Sequence, residues 1–472
     1  MSATLLLLLG GPLALLFTQL FPAPFSVTPI QWTLAGILFW MILWWGSEVV
    51  PMAATSLLPL VLFPVFDILP EAQVAGFYAH PLTFLFMGGF FIAVALEKSG
   101  LHHRLALTIL KWTGHSALTA LAGIMAMTAA LSMWISNTAT ALMMVPIAAA
   151  LIDQMVDQKM PAEQILHFAK PLLLSVAYCA SIGGLGTLVG TPTNLYFANF
   201  YEQTYGLRIT MLGWMKVGIP FMLIMLLLTF VYLVIHYQLW SMRFPNLSHR
   251  FKDAHAQLPA LSISQWAVLT IFAGTCIAWM FSLPLQRWTG LPLSDTVIAL
   301  VAAVLLMTIP ASLSEKRFLL KWEDATQIPW GILLLFGAGL AITAAFASTG
   351  LYAQMAGWFT RLSGIHSVLM LAAFASLALL VTELVSNSTA IATLLPVAAA
   401  IAAGTGVPAL LLMFPLTLIV SGGFMMPTGT PPNAIVLGTG KLHISDMFRV
   451  GIVLNILMLV AVVVVGMMWQ AR

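Results

Sequence analysis

Three small polar residues, Ser136, Asn137 and Thr138, interrupt an apolar run that extends over 117–153. In hydrocarbon, where an unsatisfied polar group is costly, such a cluster needs partners or a ligand. The interruption recurs 250 residues later, as Ser386, Asn387 and Ser388 inside a second apolar run over 366–403. A proline follows each at the same distance, Pro146 and Pro396, and both runs then reach three consecutive alanines. The chain therefore reads as two halves, each delivering one Ser-Asn turn to a shared site.

That reading requires a membrane, and the composition supplies one. Of 472 residues 61% are hydrophobic and only 7% charged, with a mean hydropathy of +1.01. Soluble domains carry about 25% charged residues. The expected fold is an all-α polytopic membrane protein in a lipid bilayer. A net charge of +3 gives no reason to expect a nucleic-acid partner. Cys179 and Cys276 both lie in apolar runs and offer neither a disulfide framework nor a metal site. The N-terminal leucine run lacks a positively charged leader and is read as a first transmembrane helix.

Apolar runs predict eleven crossings, near 4–20, 30–47, 52–68, 82–97, 168–200, 213–237, 264–282, 293–310, 330–347, 407–439 and 449–469. The two interrupted runs, 117–153 and 366–403, are read as re-entrant hairpins with the Ser-Asn motifs at their tips. A pair of crossing helices is the competing reading. With the N-terminus in the cytoplasm, thirteen Lys and Arg fall on the cytoplasmic side and five on the other, which follows the positive-inside rule.

The repeat extends beyond the tips. Phe86-Met-Gly-Gly-Phe90 matches Phe336-Gly-Ala-Gly-Leu340 at the same spacing of 250, and Gly190-Thr-Pro-Thr-Asn194 matches Gly429-Thr-Pro-Pro-Asn433 at 239. The expected organisation is an N-terminal transmembrane helix over 1–29, a first repeat over 30–238, a cytoplasmic linker over 239–263 and a second repeat over 264–472. Each repeat holds five crossings, an odd number, so the second is expected to be inverted relative to the first. Inverted repeats with Gly/Pro-broken helices in matching places point to a secondary transporter with its site at the midplane.

Glycine and proline inside a span free backbone carbonyls and amides from the helix ladder. Freed carbonyls suit a hard monovalent cation, and freed N–H groups suit an anion. The Ser, Thr and Asn side chains can serve either. An enzyme is disfavoured, because no nucleophile–base pair, metal cluster or run of acids lies at membrane depth.

Three segments, Ser132-Met-Trp-Ile-Ser-Asn-Thr-Ala-Thr, Thr382-Glu-Leu-Val-Ser-Asn-Ser-Thr and Met426-Pro-Thr-Gly-Thr-Pro-Pro-Asn-Ala-Ile, resemble the signatures of the divalent anion:sodium symporters, the INDY-type dicarboxylate carriers. The resemblance covers nearly the whole chain. It implies a homodimer in the cell's inner (plasma) membrane, with a scaffold domain and a transport domain that moves as an elevator. It implies no cofactor, only sodium as coupling ion. One sodium position would use Ser132, Ser136, Asn137 and the backbone of Gly190. Its mirror would use Thr382, Asn387 and the backbones of Val385 and Gly429. The substrate, a C4 dicarboxylate such as succinate, malate or fumarate, would meet Asn137, Thr138, Thr191, Asn387, Ser388 and Thr430. Ser388 departs from the threonine of the family pattern. A sodium-independent dicarboxylate or tricarboxylate exchanger, or a sulfate carrier, is the alternative function on the same fold.

Glu383, four residues before Asn387, is read as a carboxylate bracing the hairpin, with a proton or cation site as the competing role. Glu48 and Glu97 are expected at the interface, and His102 and His103 in a solvated interfacial helix. The runs 213–237 and 449–469, rich in large aliphatic residues, are expected as lipid- or dimer-facing scaffold helices.

Overall fold

The computed structural model describes residues 3–24, 27–101, 104, 108, 116–157, 160–242, 256, 258–312, 317–362, 364–427 and 429–470. His102 and His103 lie outside them. The described chain is helical but for one short antiparallel pair, Pro310–Ser312 with Arg317–Phe318. Nine helices among the described residues are long and apolar enough to cross a membrane, and several shorter apolar helices accompany them.

Both interrupted runs form helical hairpins. The first has arms Ala117–Ser132 and Asn137–Asp157, the second Ser367–Leu384 and Asn387–Thr405, and in each the two arms pack on one another. The outer ends are set by local chemistry. Ser116 and Thr119 form a reciprocal capping box at the start of the first hairpin. At the tips, the Ser136 and Ser386 hydroxyls each accept the N–H three residues on, Ala139 and Thr389, both at 3.3 Å.

Both Gly-Thr-Pro segments break a helix, as expected. The first broken helix runs Ala162–Gly184 and then Pro192–Tyr205, the second Ala409–Ile419 and then Pro431–Leu437. Each distal piece begins with proline, whose missing N–H costs nothing in a first turn. The preceding threonines, Thr191 and Thr430, share one backbone conformation, φ −143° and ψ 145°.

One expectation needs correction. The run 52–68 is not one crossing helix but two short ones, Met52–Thr55 and Leu58–Val65, with Pro59 opening the second. The helices Met211–His236 and Ile444–Gln470, expected as lipid- or dimer-facing, pack with one face on the hairpins and broken helices. The first lies against Ala117–Ser132 and Ala162–Gly184, the second against Ser367–Leu384 and Ala409–Ile419. Their large aliphatic faces, such as Leu223, Leu227, Ile456 and Val460, remain exposed.

A separate group of helices packs mainly on itself, joining Glu71–Tyr78 and Pro81–Lys98 to Asp295–Thr308 and Trp330–Ser348. Ile263–Met280 packs on Pro81–Lys98 and Asp295–Thr308 and carries the group's contact with the first tip, where Trp134 stacks on Trp279 with centroids 6.0 Å apart and meets Phe272 edge-on. Leu384, its equivalent at the second tip, is 72% exposed.

Candidate functional site

The first tip and the first helix break share a buried knot of oxygens. Ser132 Oγ lies 2.8 Å from Asn137 Oδ1 and 2.5 Å from the Ala180 carbonyl oxygen. The second half repeats it, with Thr382 Oγ1 2.8 Å from Asn387 Oδ1 and 2.6 Å from the Val420 carbonyl oxygen. A hydroxyl has one proton. Each knot thus gathers three oxygens around one hydrogen, with Ser132 and Thr382 wholly buried. An oxygen-rich, proton-poor cluster of this kind is chemically suited to a hard cation.

The asparagines of the Gly-Thr-Pro-x-Asn segments set the shape of the breaks. Asn194 Nδ2 donates to the carbonyls of Gly184 (3.0 Å) and Thr187 (2.7 Å). Asn433 Nδ2 donates to those of Gly423 (2.8 Å) and Met426 (2.9 Å), each 239 residues on. The sequence motif contained both asparagines, but it gave no hint that their amides fasten the loop behind them.

Glycine is required where these loops fold back on themselves. A Cβ on Gly184 would stand 2.7 Å from Asn137 Oδ1 and 3.0 Å from the Gly190 carbonyl oxygen, so those two oxygens converge on one point. In the second half a Cβ on Gly429 would meet the Gly423 carbonyl oxygen at 3.3 Å. The expected residues Ser132, Asn137 and Gly190 therefore come together, as do Thr382, Asn387 and Gly429 with the adjoining break. Ser136 Oγ also accepts the Ala139 N–H of its capping bond. Val385 is extended (φ −129°, ψ 165°) between the two arms, off the helical path.

Of the residues expected to meet substrate, Asn137, Thr138, Asn387 and Ser388 are half-buried in the first turns after the two tips. Thr191 and Thr430 are buried at the helix breaks, 2% and 3% exposed. Thr191 Oγ1 reaches Thr193 Oγ1 at 3.4 Å, whereas Thr430 Oγ1 has no hydrogen-bond partner among the described residues.

The halves exchange parts. Helix Pro192–Tyr205 of the first packs among Trp330–Ser348, Asn387–Thr405 and Ala409–Ile419 of the second. In return Pro431–Leu437 packs on Asn137–Asp157 and Ala162–Gly184. Thr193 Oγ1 and Ser421 Oγ join the two breaks at 3.2 Å.

A family model described as the sodium:sulfate symporter transmembrane region matches residues 3–471. The chain belongs to this symporter family. Its relatives include the sodium-dependent dicarboxylate transporter SdcS of Staphylococcus aureus strain USA300, 36% identical over 97% of this chain and 89% of that protein. The SdcS protein of strain MSSA476 matches equally. Among solved structures, the Alcanivorax borkumensis YdaH transporter superposes with a TM-score of 0.60 at 16% identity, covering 99% of this chain and 98% of its own. Neisseria gonorrhoeae MtrF gives 0.57 at 13% identity, covering 99% and 94%. At such identities the two structures speak for the fold alone, a polytopic all-α membrane protein. Within the symporter family, the duplicated oxygen knots of this chain are the geometry that a function must explain.

Proposed function

We propose that this symporter-family chain is a sodium-coupled secondary transporter that imports C4 dicarboxylates. The observation that carries the proposal is the pair of proton-poor oxygen knots, one beside each tip, in a chain 36% identical to a sodium-dependent dicarboxylate transporter. One sodium ion binds Ser132, Asn137 and the Gly190 carbonyl, with Ser136 at the edge. A second binds Thr382, Asn387 and the carbonyls of Val385 and Gly429. The dicarboxylate lies between them against Asn137, Thr138, Thr191, Asn387, Ser388 and Thr430, where the Thr430 hydroxyl, without a partner among the described residues, gives it a donor.

No lysine or arginine lies in these motifs, so the two negative charges must be offset by bound sodium and backbone N–H groups. Sodium then raises substrate affinity, and by linkage substrate raises sodium affinity by the same factor. The hairpins, broken helices and their closing helices would move as one body against the outer helices, as an elevator within a homodimer. The N-terminus is cytoplasmic, the membrane is the plasma membrane, and the second repeat is inverted.

The test is uptake of labelled succinate into proteoliposomes. Replacing external sodium by choline should collapse it, and Asn137→Ala or Asn387→Ala should nearly abolish it while leaving insertion intact. Sodium-independent uptake that requires internal counter-substrate would replace this reading with an exchanger. Competition by sulfate stronger than by unlabelled succinate would assign the sulfate named in the family description.

A further inference from the structure

Beside each tip, the hairpin is tied to the neighbouring helix break, and the two ties use opposite chemistry. In the first half the loop supplies a neutral hydroxyl. Thr187 Oγ1 donates to the backbone carbonyl of Met133 and accepts the Gly190 N–H at 3.0 Å. In the second half the residue equivalent to Thr187 is Met426, which has no hydroxyl, and the residue equivalent to Met133 is Glu383. Here the hairpin supplies a carboxylate and the loop supplies backbone N–H groups.

The contacts are dense. Glu383 Oε1 accepts from the N–H of Phe424 and of Met425, both at 3.0 Å, and Oε2 from Met425 at 3.2 Å and Met426 at 3.0 Å. Asn455 Nδ2 donates to Oε1 at 2.5 Å. Glu383 is 5% exposed. Every partner is a donor, which suits the acceptor-only ionised carboxylate. The ion pairs among the described residues are Lys98–Asp324 and Lys170–Asp446, and neither includes Glu383. Asn433 holds the carbonyl side of the same loop, so the chain leading to Gly429 is gripped on its donor and acceptor faces together.

We propose that Glu383 is a positioning residue for the second sodium position, ordering its loop and lending it a negative charge that the first position lacks. The two positions are therefore unequal, the second holding sodium more tightly. The inference rests on the sodium-coupled reading above. A brace with no electrostatic part would lower stability alike in any salt. A positioning charge would also change the response to sodium.

Glu383→Gln keeps the size but turns an amide donor toward N–H groups that need an acceptor. Purified protein would be melted without substrate in sodium chloride and in choline chloride of equal ionic strength, and sodium dependence of uptake measured in proteoliposomes. The expected result is loss of most of the sodium-induced rise in melting temperature. The sodium concentration for half-maximal uptake should rise about tenfold, with the succinate KM at saturating sodium little changed. An equal sodium-induced rise in wild type and variant overturns the inference. Should Glu383→Gln yield no folded protein, Asn455→Leu, which removes one donor, decides by the same readouts: a smaller shift in the same direction supports the inference, and none overturns it. A wild type indifferent to sodium removes the sodium-coupled reading and this inference with it. A responsive wild type with an equally responsive variant removes the inference alone.

Discussion

Phe86 and Phe336, equivalent positions 250 residues apart, stack on each other with ring centroids 4.2 Å apart and ring planes 23° from parallel. Equivalent residues of two repeats can touch only where the operation relating the repeats brings a position close to itself. The stack thus brings matching positions of the two sequence repeats, on Pro81–Lys98 and Trp330–Ser348, into direct contact. Both rings are 2% exposed, so the contact is built into packing.

Phe86→Leu and Phe336→Leu should each lower stability, and the double variant should lose less than the two losses combined. An aromatic pair contributes about 0.5–1.5 kcal/mol beyond its area burial, and the second substitution has no stack left to break. Denaturant unfolding of the four proteins in one detergent measures the coupling. Simple additivity would make the stack incidental.

Alanine at the two break glycines should act unequally. A Cβ on Gly190 would stand 2.5 Å from the Gly184 carbonyl oxygen and 2.9 Å from its Cα, atoms of backbone that cannot turn aside. On Gly429 the equivalent distances are 3.3 and 3.4 Å, which small shifts can absorb. Gly190→Ala should abolish sodium-dependent uptake, and Gly429→Ala should retain it. Equal activity of the two in the succinate assay would refute the difference.

Ser388 occupies the place that Thr138 holds in the first half. Ser388→Thr keeps the hydroxyl and adds one methyl group, a change of about 0.8 kcal/mol when fully buried, or roughly fourfold in affinity. Transport and sodium dependence should persist, with preference shifted a few-fold toward the smaller C4 dicarboxylates over citrate. Ser388→Ala should cost more, since it removes a donor to a carboxylate. Competition by succinate and citrate in the three proteins decides, and an alanine variant equal to wild type beside a dead threonine variant would make the position steric only.

At the end of the span Glu71–Lys98, Lys98 Nζ lies 2.5 Å from Oδ2 of Asp324, which is outside the spans. Partial burial works against ionisation of Asp324, yet the Lys98 ammonium and the Lys321 N–H hold its carboxyl below the usual range. A carboxyl lowered in the folded state stabilises above its unfolded pKa, and that contribution is lost as pH falls through the folded value. Lys98 is well exposed, so the pair contributes no more than about 1 kcal/mol. Asp324→Asn should lower the melting temperature slightly at neutral pH and not at all once the pH has fallen below the lowered pKa of the folded carboxyl. A gap that persists in acid would assign the effect to packing.

The sequence reading reached the hairpins, both broken helices and every residue of the two oxygen knots except Ala180 and Val420. Those two act through backbone carbonyls, and a carbonyl leaves no mark on residue type. Asn455 was missed for a related reason, since one asparagine in a long aliphatic helix has no periodic signal and matters only through Glu383, 72 positions away. The bracing role read for Glu383 is matched by its hydrogen bonds. The helices Met211–His236 and Ile444–Gln470 show what hydropathy misses. An aliphatic surface says that one face meets lipid, not what the opposite face meets.

The exchanged helices also set an order of events in synthesis. Pro192–Tyr205 is buried on nearly every side by helices that follow it in the chain, the last of the hairpin partners being Asn387–Thr405. Between the end of the one and the end of the other lie 200 residues, Tyr205 to Thr405, on the order of 10–40 s at ribosomal rates. Through that interval Thr193, buried in the finished protein, awaits Ser421, which is not yet made. The first half must therefore wait in the membrane with its centre open until the second hairpin arrives.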